Sequence, residues 1–271
     1  MNNNAGLPSS DELAELPNRS IAVYAIRCAL RVQPLLASSE INSIDYKDAV
    51  LILNSNLQIL TNTAKDLVSA AAAISTAAKT IEKYAQKHAA RNSVREVIAG
   101  VAKAADYAAE AYATYSNTST SAAKAAFAAD AVDVEAYDLY SAPFGDAAFS
   151  ENVFGVYARA DYVRLKELEI AITDASETGP LGDLWHGSPP DWYIEAKERY
   201  DKAIAEWERE LAEYDKNDEE RLLSVYVDPG TSSPELITEL YIALNALYRA
   251  NGGSGLEIAK EERRSMAGEI V

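Results

Sequence analysis

VIAGVAKAADYAAEAYATYSNTSTSAAKAAFAADAVDVEA, residues 97–136, contains 16 alanines in 40 positions. Alanine has the highest intrinsic helix propensity, so the stretch reads as helix. SNTSTS at 116–121 divides it into two, with a serine or threonine capping the second helix. The aromatic residues Tyr107, Tyr112, Tyr115 and Phe127, with Tyr137 and Tyr140 just beyond, fall at helical spacing, which separates the segment from low-complexity disorder. A buried alanine methyl contributes on the order of 0.8 kcal/mol against about 1.5–3 for a leucine. A core built this way must be thin and packed helix closely against helix.

The pattern extends toward the N-terminus. Ile21, Tyr24, Ala25, Cys28 and Val32 form one apolar helical stripe, with Asn18 as its cap and Pro34 ending or kinking it. From Ser43 and Asp45 a second stripe runs Val50, Leu53, Leu57, Leu60, Ala64, Leu67, Ile74, Ala78, Ile81, Tyr84. It reads as one helix of more than 40 residues, or as two with a break near 61–63, where weak helix formers gather. Toward the C-terminus, Tyr157, Tyr162, Leu165, Leu168 and Ile172 mark a further helix. ETGPLGDLWHGSPPDW, 177–192, is the clearest loop, and Pro190–Asp191 opens a helix with an apolar face from Tyr193 to Tyr214 and a strongly acidic opposite face.

The periodicity changes after residue 220. LLSVYV, 222–227, is rich in β-branched and aromatic types and reads as a strand. DPGTSSPEL then starts a helix, with Ser233 as cap and Pro234 at the first helical position. NGGSGLEI, 251–258, ends that helix with glycine C-caps and returns as a second strand through Leu256 and Ile258. The expected fold is therefore mainly α: an alanine-rich multi-helix bundle over 18–216, preceded by a flexible leader over 1–17. A small C-terminal βαβ appendage follows over 217–260, and a charged tail over 261–271.

Charge and composition bound the function. Residues 1–142 carry 15 acids and 12 bases, a net of −3, and residues 143–271 carry 27 acids and 13 bases, a net of −14, together the −17 of the whole chain. An acidic surface repels nucleic acid and anionic lipid, so neither nucleic acid nor membrane is an expected partner. No apolar run reaches the roughly 18 residues of a membrane span. The single cysteine, Cys28, forbids an internal disulfide and fits a reducing, cytoplasmic compartment. No signal peptide is visible at the N-terminus.

The chemistry-bearing patterns are sparse. No GxxxxGK[ST] or GxSxG occurs, and the glycines of 251–258 follow a helix rather than precede one, the wrong polarity for phosphate. With two histidines, His88 and His186, and one cysteine, no zinc site is expected. Neither catalytic residues nor a cofactor nor a metal site is assigned. Trp185, His186 and Trp192 in the 177–192 loop read as an exposed aromatic contact patch, and Tyr226, Leu256 and Ile258 of the appendage as further partner-binding positions.

LPNRSIAVYAIRCALRVQPLL (16–36), the alanine-rich middle and VYVDPGTSSPELITELYIALNALYRANGGSGLEI (225–258) resemble pieces of uncharacterised bacterial proteins. The resemblance implies a bacterial origin and no site. The expected function is a non-enzymatic protein-binding or adaptor subunit that docks a protein partner, or a second copy of itself, through its acidic C-terminal half. One alternative is an acidic inhibitor or nucleic-acid mimic that occupies a basic groove. The other is a carboxylate-metal enzyme inside the bundle.

Overall fold

The computed structural model describes residues 6–37, 40–61, 67–114, 117–141, 153–168 and 170–226. Among them are eight α-helices: α1 (Ser10–Leu13), α2 (Asn18–Val32), α3 (Ile44–Thr61), α4 (Leu67–His88), α5 (Asn92–Ala113), α6 (Thr118–Ser141), α7 (Val153–Glu167) and α8 (Asp191–Tyr226). The chain forms two compact units, Met1–Trp207 and Glu208–Val271. Within the described residues the architecture is mainly helical, as the alanine-rich stretch and the stripes indicate.

In the first unit α3, α4, α5 and α6 pack side by side in chain order, joined by connections of five, three and four residues. Connections that short leave consecutive helices as neighbours. The stripe from Val50 to Tyr84 is carried by two helices, α3 ending at Thr61 and α4 opening at Leu67, rather than by one helix of more than 40 residues, so of the two readings the one with a break near 61–63 holds. Helix α2 lies against α5 and α6, and its stripe is fully buried: Ile21, Tyr24, Ala25, Cys28 and Val32 have 0–2% of their surface exposed. It begins at Asn18 itself, with Pro17 in the cap position and no side-chain cap, and a 3-10 turn at Gln33–Leu36 accommodates Pro34.

Alanine sets the spacing of the layers. Ala102, Ala105, Ala109, Ala122, Ala125, Ala126 and Ala129 are all buried. At Gly100 in α5 a Cβ atom would stand 2.3 Å from Cγ2 of Val132 in α6, so the two helices meet where a side chain is missing. Phe127 does not join this core, since it is 70% exposed.

The flexible leader expected over 1–17 is not what the described part shows. Ser9 and Glu12 close a capping box on α1, and Leu13 and Leu16 are buried. Arg159 of α7 holds the segment with bonds to the Gly6 and Leu7 carbonyls and to Glu12 Oε1 at 2.6 Å, and Lys166 reaches Glu15 at 2.6 Å. Two buried leucines and a guanidinium bridge outweigh the local tendency of a polar, proline-containing stretch to stay loose.

The strand expected at 222–227 is also corrected. Residues 222–226 are the last turns of α8, and no strand occurs among the described residues. The Lys, Glu, Asp and Arg-rich run before them propagates the helix, and extending a helix is easier than starting a strand with no neighbour to pair. The remainder of the expected βαβ unit, 227–260, and the tail, 261–271, lie outside the described residues.

Candidate functional site

Helix α2 brings three polar side chains into the interior of an otherwise apolar segment. Ser20, Arg27 and Arg31 are each 0% exposed. Arg27 and Arg31 are four residues apart and therefore stack on one helix face. That face meets α7, which contributes Asp161, and the segment 170–187, which folds over all of them.

Asp161, itself 0% exposed, is the centre of the cluster. Its Oδ2 accepts from Arg27 Nε at 3.0 Å and from Arg31 Nη2 at 2.6 Å. Its Oδ1 lies 2.6 Å from His186 Nε2. Burial pushes the carboxyl up, but the Arg31 charge, the His186 hydrogen bond and Arg27 together outweigh it and hold the group down at about 2.

The arginines also clamp the overlying loop through its backbone. Arg27 Nη1 donates to the carbonyls of Ala175 at 3.3 Å and Gly182 at 3.0 Å, and Nη2 donates to that of Asp183 at 2.8 Å. Arg31 Nε and Nη2 both donate to the Leu184 carbonyl, at 2.9 and 2.6 Å. Further along, Ile172 N donates to Ser20 Oγ at 3.0 Å and Ala175 N to the Thr61 carbonyl at 3.2 Å. The path needs left-handed backbone: Gly182 has φ +68° and His186 has φ +46°, a conformation uncommon for a side chain with a Cβ. In this conformation the His186 ring meets Asp161.

Trp185 and Trp192 are not an exposed contact patch. They are 3% and 5% exposed. Trp185 meets the rings of Tyr157, Trp192 and Tyr193 edge-on at 5.4, 6.0 and 5.0 Å, and stands over the Arg31 guanidinium at 5.8 Å. Trp192 Nε1 donates to Asp133 Oδ1 at 2.9 Å. The loop is polar and glycine-rich, yet its tryptophans carry enough area to be drawn inward, and each finds a charged group there. His186 is the one member of the three that keeps an exposed edge, its side chain 21% exposed. Tyr226 is the last residue of α8, and Leu256 and Ile258 lie outside the described residues.

Among the described residues, the two buried carboxylates, Asp133 and Asp161, have protein partners. Asp133 accepts from Trp192 and from the Phe154 amide at the start of α7, at 3.4 Å, and burial pushes its carboxyl up against those hydrogen bonds. Among the described residues, no three His, Cys, Asp or Glu side chains converge as metal ligands would. Cys28 is enclosed, and burial pushes its thiol up to about 12.

Sequence reasoning missed Arg27, Arg31 and Asp161. The signal was available in part: IAVYAIRCALRV, 21–32, is apolar on every side except for two arginines at i, i+4, with no acid on the helix to pair with them. Such a pair has to meet a carboxylate from elsewhere in the chain, which a stripe analysis of one helix does not identify.

No protein-family model matches the chain, and no curated protein or solved structure shows significant similarity to it. No helix among the described residues is long and apolar enough to cross a membrane.

Proposed function

We propose that the protein is a binding or adaptor subunit of the cytoplasm that docks a protein partner through the outward face of α8. The observation that carries this reading is the division of α8 into two faces. Trp192, Tyr193, Ala196, Tyr200 and Trp207 are turned into the first unit, while Asp191, Glu195, Glu198, Asp201 and Glu206 are all exposed. The large aromatics of this stretch are therefore committed to the core, and the outward face offers a partner mainly charge, with Ile194 exposed among it. The excess of acid over base in 143–271 gives that surface its sign. Polar and charged complementarity of this kind sets partner choice and association rate.

The same face favours a protein over a nucleic-acid-mimicking role. Arg199 and Lys202 stand four residues after Glu195 and Glu198, so bases interrupt the row of carboxylates. A mimic of a phosphate backbone needs negative charge repeated without that interruption.

Affinity capture tests the reading. Full-length protein and a variant carrying Glu195→Gln, Glu198→Gln, Asp201→Asn and Glu206→Gln are compared at equal loading, with circular dichroism confirming equal helix content. The expected result is a partner enriched by the native chain, lost with the variant and weakened as salt rises. Equal recovery by both proteins, insensitive to salt, overturns it.

A further inference from the structure

We propose that the core around Arg31 is a binding site for one small monovalent anion, chloride being the abundant candidate. The argument begins with charge. Arg27 and Arg31 are wholly buried, and a guanidinium stays protonated in proteins. Among the described residues, the carboxylate that touches them is Asp161, shared by both and by His186. Two positive charges against one negative leave a surplus of +1, and a protonated His186 would only enlarge it. The carbonyls of Ala175, Gly182, Asp183 and Leu184 accept the N–H groups but bring no net charge. An uncompensated buried charge is costly, which is why buried ions in proteins are paired.

The second observation is a set of donors without acceptors. Arg31 Nη1 is buried and has no hydrogen-bond partner among the described residues, although Nε and Nη2 of the same group are both bonded. Three further buried groups among the described residues are also unpartnered: Trp185 Nε1, the Tyr24 hydroxyl and, on α5, Arg95 Nε. Trp185 lies over the Arg31 guanidinium, and Tyr24 is two turns earlier on the same face of α2, with Cys28 between them. The Tyr24 hydroxyl is near the Cys28 thiol and the Trp185 indole near the Tyr193 hydroxyl, in neither case with hydrogen-bond geometry. Unmet buried donors are uncommon in folded proteins, and one on a surplus cation, with a second on the tryptophan packed over it, points to an acceptor.

The chemistry restricts that acceptor. It must be negative, because water would satisfy donors but leave the charge. It must be monovalent, because a phosphate or sulfate dianion would overshoot the surplus. It must be small, because Tyr24, Arg31 and Trp185 are 0%, 0% and 3% exposed and offer no opening for an organic tail. The rings of Phe154 and Trp185 beside the guanidinium would form apolar walls that suit a weakly hydrated halide.

The test uses the full chain. Its melting temperature is followed as chloride replaces gluconate at constant ionic strength, and crystals grown in bromide are measured at the bromine absorption edge. The expected outcome is a melting temperature that rises and saturates with chloride, and an anomalous peak within hydrogen-bond distance of Arg31 Nη1. Tyr24→Phe removes one donor with little change in volume, and Trp185→Phe removes another together with part of a packed ring. Each is expected to raise the half-saturating chloride concentration several-fold. Arg31→Lys is less informative, since it also breaks the clamp on Leu184. A melting temperature independent of chloride, bromide peaks confined to the surface, or unchanged half-saturation in both donor variants overturns the site.

Discussion

Arg31 Nη2 and Asp161 Oδ2 are 2.6 Å apart, and neither side chain has any solvent-exposed surface. This bond joins α2 to α7 and, through the second acceptor of Nη2, to the backbone of the loop at Leu184. The pairing is a condition of the fold rather than a surplus of stability. A buried ion pair gains little over an apolar contact, but removing one partner strands the other.

Asp161→Asn therefore leaves two buried guanidiniums without a carboxylate. The variant is expected to lose about 3–5 kcal/mol of stability. Urea unfolding checks this through the midpoint, with the slope as control for a change in the unfolded state. A midpoint near that of the native protein contradicts the paired-charge reading.

Acid should weaken the native protein in a defined window. The folded Asp161 and Glu12 carboxyls are both held at about 2: Asp161 by Arg31, His186 and Arg27 against the cost of burial, Glu12 by Arg159 and the capping bonds. A carboxyl held low contributes stability that is complete above its ordinary value, about 4, and is lost as pH falls toward its folded value. Chemical denaturation between pH 5 and pH 2 is expected to show a steady fall, made shallower by Glu12→Gln.

Trp192→Phe removes the indole donor from Asp133 Oδ1. Asp133 is already pushed up by burial, and losing this bond pushes it further. A carboxyl raised in the folded state costs stability as pH climbs through its titration. The variant should then lose about 1–3 kcal/mol, with a larger deficit at pH 8 than at pH 4.5. Urea melts at the two values decide it.

Gly100→Ala tests the close approach of α5 and α6. Alanine in mid-helix is favoured over glycine by about 1 kcal/mol, but the new Cβ would lie 2.3 Å from Val132 Cγ2. Valine in a helix has one strongly preferred rotamer and cannot swing aside. The expected result is a net loss of about 1–3 kcal/mol, recovered in part by adding Val132→Ala. A stabilised single variant contradicts the packing described.

Cys28 should be inert in the native state, because its thiol is buried and pushed up to about 12, and the thiolate is the reactive form. A colorimetric disulfide reagent at pH 8 is expected to titrate no thiol in native protein and one in denaturant. Rapid reaction of the folded chain contradicts this.

The sequence by itself determined the helical class and much of its punctuation. Sixteen alanines in 97–136, the stripe from Ile21 to Val32, the break after Thr61 and the helix start at Asp191 are local properties, set by propensity and period, and they appear in the structure. The strand expected at 222–227 went the other way, because β-branched residues favour strand only where a neighbour pairs with them, and here a charged helix reaches them first. Only the tertiary structure decided the site. Arg27 and Asp161 lie 134 positions apart, and Arg31 and Leu184 153 apart. Their meeting depends on how α2, α7 and the loop pack. The same packing drew Trp185 and Trp192 inward and left His186 at the surface, because burial is a property of the assembled core and not of the loop's composition.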